Sequence, residues 1–326
     1  MRHGVTLQGV DDPQAFAERA TWLEGAGFDN LWITDSSLHA GDCYVYAAIA
    51  LQATSRIIVG TAVTNPLTRH PSITANAFRT LAQLAPGRVV CGIGVGDRPL
   101  HELGLPMAKL ETLRLSVEAM RALWRGETVD GSAGPHRFVQ ARLRSSVPEV
   151  PVYVAASGPR ALEEAGAWAD GAIVLAGVFE EGLAYARERL AAGRARSARA
   201  RFETVFMLYG AIAEAEEAAL EAGRSIAAWF PQTAPQYARL AGMSDERIKD
   251  IVAAYSGGEF QQAGTAAALV DDDLVRKLAF AGTPSTAGQK LAWLREQGVD
   301  AVSLFPLGAD PQATIERFAE IALAPV

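Results

Sequence analysis

The chain has 326 residues, 49% hydrophobic and 21% charged, which is enough apolar material for a large buried core. A formal net charge of −7 argues against nucleic acid as the main partner. No apolar run reaches membrane-spanning length, and Met1-Arg2-His3-Gly4 does not open a signal peptide, so a cytoplasmic protein with no membrane partner is expected.

Strand-like and helix-like segments alternate along the chain. The candidate strands are Val5-Thr6-Leu7, Leu31-Trp32-Ile33-Thr34, Ile57 to Val63, Val89 to Gly94, Val152 to Ala156, Ala172 to Leu175, Phe202 to Ile212 and Ala301 to Phe305. Most are short, continuous apolar runs, as parallel strands covered on both faces require. Asp12-Pro13, Thr283-Pro284 and Asp310-Pro311 each pair an N-cap residue with Pro at the first helical position. Gly27 and Gly298 stand where a helix ends in left-handed backbone. Leu110, Leu113, Val117, Met120 and Trp124 make one buried helical stripe. The sum is an α/β fold, a (β/α)8 TIM barrel read as a single domain over residues 1–326.

Two segments break the alternation. Residues 126–151 read as a hairpin-like excursion. Residues 213–282, after the seventh strand, read as an acidic helical insertion with aromatics and a Gly-rich patch, Ser256-Gly257-Gly258. This insertion is either a lid or substrate wall, or a subunit interface.

Chemistry is expected in the loops at the C-terminal strand ends. After the second strand comes Thr34-Asp35-Ser36-Ser37, where Asp35 could poise a proton or simply cap a helix. After the third comes Ala62-Val63-Thr64-Asn65-Pro66-Leu67-Thr68-Arg69-His70-Pro71. It offers hydrogen-bonding side chains, amides around Val63 and possible charge at Arg69 and His70, which suits a flat, polar-edged ring. It is equally a plain strand-to-helix turn. After the fourth, Gly92-Ile93-Gly94-Val95-Gly96-Asp97 misplaces the third glycine of a dinucleotide fingerprint, but lets a flat cofactor approach bare backbone. After the fifth, Ala156-Ser157-Gly158-Pro159 opens a helix whose first amides would hold a phosphate, the alternative being a tight turn. The arginines Arg187, Arg189, Arg194, Arg196, Arg199 and Arg201 read as a solvated helix face.

Cys43 and Cys91 read as structural thiols, and the five histidines show no metal-ligand spacing, so no metal is expected. With no nucleophile elbow and no Cys-His pair either, a cofactor that carries its own chemistry fits best.

Several stretches together resemble the luciferase-like flavin superfamily, and within it the deazaflavin-dependent methylenetetrahydromethanopterin reductase branch. They are Leu31 to Ser36, Asp42 to Tyr46, Gly60 to Pro71, Gly92 to Asp97, Arg137-Phe138 with Ala141 to Leu143, Val154 to Leu162, Asp170-Gly171 and Gly282 to Pro284. The resemblance covers most of residues 1–180 and again 280–322. It implies coenzyme F420 as cofactor, with FMN as the alternative, and a hydride passed to or from a small organic substrate. Asp35 and Ser36 would border the ring as catalytic candidates. Ala62-Val63, joined by a non-proline cis peptide, would support it. Thr64 and Asn65 would lie at its polar edge, Gly94, Val95 and Gly96 along it, and Ala156, Ser157, Gly158 and Pro159 at the phosphate. A homodimer is implied as well.

The chain departs from the reductase pattern twice. Thr6 stands where that branch carries Glu at the end of the first strand, and Ser36 where many members carry His. A substrate other than methylenetetrahydromethanopterin is therefore expected. The rival readings are an FMN-dependent monooxygenase served by a flavin reductase, and a non-catalytic flavin-binding barrel.

Overall fold

The structure, a computed structural model, describes residues 1–255 and 263–324. Its strands are β1 (Arg2–Leu7), β2 (Asn30–Ile33), β3 (Ile58–Thr61), β4 (Val89–Ile93), β5 (Val129–Ala133), β6 (His136–Ala141), β7 (Val152–Ala156), β8 (Gly171–Val174), β9 (Glu203–Gly210) and β10 (Ala301–Pro306). Eight of them close into a barrel in the order β1-β10-β9-β8-β7-β4-β3-β2. β5 and β6 pair separately as an antiparallel hairpin. This is the (β/α)8 architecture that the alternating apolar runs imply. β3 is shorter than its apolar run: the strand stops at Thr61, and the next peptide, Ala62–Val63, is cis.

The chain divides into two compact units, Thr6–Ala155 with Ala169–Ala172, and Met1–Val5 with Ala156–Trp168 and Ile173–Val326. In the first, Asp12 caps the helix Pro13–Ala26 by accepting from the Gln14 and Ala15 amides, and Gly27 closes it at φ 105°. The helix Leu110–Trp124 buries Leu113, Val117, Met120 and Trp124, each worth about 1.5–3 kcal/mol by the general figure for large apolar side chains. The Trp124 indole donates to Ala75 O at 2.9 Å, which satisfies its one polar atom. Arg121 meets Asp170 Oδ2 at 2.7 Å, and that oxygen also accepts from the Val152 amide, so the start of β7 is fixed by charge as well as by the ladder.

In the second unit the stretch after β9 is helical: Glu216–Thr233, Pro235–Leu240, Asp245–Ala254 and Asp272–Leu278, with a 3₁₀ turn at Gly264–Leu269. Phe230 and Tyr237 are fully buried there. The Ser256-Gly257-Gly258 patch and Phe260 lie outside the described residues. Lys290 Nζ donates to the carbonyls of Arg276, Ala279 and Ala281, gathering the carbonyl end of the helix Asp272–Leu278. The arginine cluster is solvent-facing at Arg196 and Arg201, and its other members make specific contacts as well. Arg187 donates to Gln297 O, Arg189 pairs with Glu163, and Arg194 holds Ser197 and the Arg199 carbonyl. Arg187 and Arg189 reach partners on distant segments, whereas Arg194 ties down the loop that follows its own helix. Among the described residues no helix is long and apolar enough to cross a membrane.

Candidate active site at the strand ends

In the first unit the loops after β2 and β3 are joined by one charged network. Arg69 Nη1 lies 2.6 Å from Asp35 Oδ2 and Nη2 lies 3.0 Å from Asp42 Oδ2. Asp35 also accepts from the Thr64 hydroxyl at 2.7 Å, and that hydroxyl lies 3.2 Å from the Tyr44 phenol. The Arg69 guanidinium sits over the Tyr44 ring, 4.9 Å from its centroid. Asp42 in turn caps the helix Cys43–Ala53 through the Tyr44 and Val45 amides. Asp35 is thus part of an ion pair, and the N-cap alternative for it is set aside. Burial alone would lower the Arg69 pKa, but the hydrogen bond and charge of Asp35 outweigh it and hold the cation above its ordinary range. Burial pushes both the Tyr44 phenol and the Cys43 thiol up, so both stay neutral.

The chain from Thr61 to Thr64 lies along β4. Thr61 Oγ1 donates to Gly92 O at 2.6 Å, the Thr64 amide donates to the same carbonyl, and the Gly94 amide returns to Thr64 O. Val63, half-buried, lies beside Gly94: a Cβ on that glycine would stand 3.1 Å from both Val63 Cγ2 and Ala155 Cβ. Any side chain at position 94 would press on both. Gly96 is needed for another reason: its φ is +80°, and a Cβ there would meet Leu100. Val95 O accepts from the Ala108 amide.

The polar side chains read from the sequence are largely spent on building the loop. Asn65 Oδ1 accepts from the Leu67 and Thr68 amides, and the Thr64 hydroxyl is given to Asp35. His70 caps the helix Pro71–Leu84 through Nδ1 and packs edge-on against His136 and Phe138 of the hairpin, so it anchors the loop there. The Ser36 carbonyl accepts from the His39 and Ala40 amides. Tyr44 and Asp42 are the members that residue-by-residue reading misses. A helix-capping Asp looks local, and nothing in the sequence ties it to an arginine 27 positions away.

In the second unit Ala156 ends β7 and the helix Pro159–Trp168 follows at once. Its first amides have no partner within the helix, and Pro159 fills the first position, where no donor is needed. Ser157 Oγ is 3.5 Å from Leu175 O, and the Ser157 carbonyl accepts from Gln236 Nε2 at 2.7 Å. A side chain on Gly158 would meet open space, so the turn is uncovered.

Residues 1–301 match the family described as luciferase-like monooxygenase. The chain belongs to this family. Among curated relatives of the luciferase-like protein, the 5,10-methylenetetrahydromethanopterin reductase of Archaeoglobus fulgidus is 29% identical, with 90% of each chain covered. The F420-dependent glucose-6-phosphate dehydrogenase of Beutenbergia cavernae is 38% identical over 48% of this chain and 51% of its own length. The solved coenzyme F420-dependent tetrahydromethanopterin reductase of Methanopyrus kandleri superposes with a TM-score of 0.83 at 27% identity, covering 98% of this chain and 97% of its own.

Proposed function

We propose that the luciferase-like protein is a coenzyme F420-dependent oxidoreductase acting on a small organic substrate. The observation that carries this reading is the side-chain-free backbone of Gly94 between Val63 and Ala155, which a single added Cβ would crowd. A planar tricyclic ring fits such a surface, and the similarity to F420-dependent enzymes along nearly the whole chain favours the deazaflavin. When bound, that group supplies hydride chemistry. The chain's own residues supply position. The Arg69–Asp35–Thr64 network fixes the loop that carries Val63. The first amides of the helix Pro159–Trp168, with Ser157 and Gly158, would hold the anionic tail. Asp35, held by two donors, acts in this reading by fixing the loop, and Ser36 borders the ring.

Thr6, fully buried and uncharged, stands where the reductase pattern has Glu, which supports our reading of a substrate outside the methanopterin class. Fluorescence titration of the apoprotein with F420 and with FMN tests the reading. Saturable F420 binding at least about tenfold tighter than FMN, close to 1.4 kcal/mol, is expected. FMN binding without F420 binding would replace it with the monooxygenase reading.

A further inference from the structure

We infer that Thr34, with Trp32 beneath it, reads an uncharged oxygen of the substrate inside the barrel, which makes a small neutral carbonyl or hydroxyl compound the substrate class. The inference rests on the oxidoreductase reading of the same site. It begins with two rings. Trp32 of β2 and Tyr153 of β7 have centroids 6.0 Å apart, although β3 and β4 lie between their strands in the sheet. Side chains from strands so separated can meet only across the concave face of a closed sheet. The indole gets there by lying over Gly60 of β3, where a Cβ would stand 2.5 Å from its ring. Trp32 therefore points into the barrel.

The ladder continues past Ile33, since the Thr34 amide donates to Leu7 O and the Ala62 amide donates to Ile33 O. Alternation then places Thr34 on the same inward face as Trp32, about 6.6 Å nearer the strand ends. Thr34 Oγ1 and Trp32 Nε1 are both buried, and neither has a hydrogen-bond partner among the described residues. Buried polar atoms are nearly always paired, so two orphans on one inward face point to a ligand. Other polar side chains of the following strand and loop are already engaged: Thr61 with Gly92 O, Thr64 with Asp35, Asn65 with its own loop. The Arg69 cation is balanced by Asp35 and Asp42. A hydroxyl and an indole N–H offer donors without charge, which suits a carbonyl or hydroxyl oxygen and leaves a carboxylate or phosphate uncompensated.

The test uses Thr34→Val, which keeps shape and removes the hydroxyl, with acetone and 2-propanol as probes. Crystals of the wild-type chain soaked in either probe, with and without F420, are expected to show the probe oxygen within about 3.2 Å of Thr34 Oγ1. Identically soaked Thr34→Val crystals are expected to lack it. Thermal melting of Thr34→Val without ligand is expected at or above the wild-type temperature, because an orphan hydroxyl stabilises nothing. A melting temperature several degrees lower, a protein-held water as the only partner of Thr34, an F420 oxygen in that place, or probe bound elsewhere would each overturn the inference. Failure to bind F420 would count against the cofactor reading alone, since the probe-only crystals still decide this one.

Discussion

Arg69 bridges Asp35 and Asp42, at 2.6 Å and 3.0 Å, and so a single guanidinium fastens the loop after β3 to the end of β2 and to a helix N-cap. Asp35 is the more deeply buried partner, its side chain 3% exposed. Arg69→Met leaves that carboxylate without its cation, although the Thr64 hydroxyl still donates to it. Removing one member of a buried pair costs about 3–5 kcal/mol. We expect a loss of that order in urea unfolding, together with weaker F420 binding. Arg69→Lys should recover part of the stability but less of the affinity, since an ammonium cannot span both carboxylates in the same way. Wild-type stability in Arg69→Met would show that the bridge is incidental.

Gly94 separates the ring seat from the fold. A Cβ at 3.1 Å from Val63 and Ala155 needs a shift of a few tenths of an ångström, whereas valine fills the seat. Gly94→Ala should therefore stay folded and bind F420 several-fold more weakly. Gly94→Val should lose binding by at least about a hundredfold, close to 2.7 kcal/mol. Circular dichroism alongside the titration checks that the fold persists. Unchanged affinity in Gly94→Val would remove the ring from this seat.

Gly158 gives the complementary test at the helix start. Space is open around its Cβ, so Gly158→Asp should fold normally while placing a negative charge beside the amides proposed for the phosphate. F420 binding should fall at least about tenfold, and binding of the ring fragment without its phosphate tail should fall much less. Equal losses for both would argue against an anion site here.

Glu24 predicts how the fold responds to acid. Burial alone would raise its pKa, but the amides of Ile57, Arg56 and Ser55 and the Ser55 hydroxyl outweigh this and lower it from 4.5 to about 2. A carboxyl depressed in the folded state stabilises the fold above its unfolded pKa. That contribution disappears as pH falls from about 4.5 towards 2. Glu24→Gln should be less stable than wild type at pH 7, with the gap narrowing by pH 3 in denaturant titrations. A gap that is constant with pH would assign the loss to packing instead.

The parts of the fold that sequence makes legible are those set by local chemistry. Asp12-Pro13, Thr283-Pro284 and Asp310-Pro311 start helices because capping needs only neighbouring residues. Apolar runs locate the strands because parallel strands are covered on both faces. The loops of the candidate site were legible in outline, since they follow strand ends. The roles within it were not. Thr64, Asn65 and His70 look like free polar groups, yet each is engaged by a partner in the folded loop or hairpin. Arg69 pairs with residues 27 and 34 positions away, a relation that no periodicity encodes.

The indole of Trp32 occupies the volume that a side chain at position 60 would take. The two positions therefore constrain each other through natural selection. Lineages that keep a bulky aromatic at the first should keep glycine at the second. One that trims the aromatic becomes free to admit alanine or serine opposite it, and with that changes the volume left open inside the barrel. Correlated change at this pair, rather than strict conservation of either member, is the signature to seek when tracing how such barrels acquire new substrates.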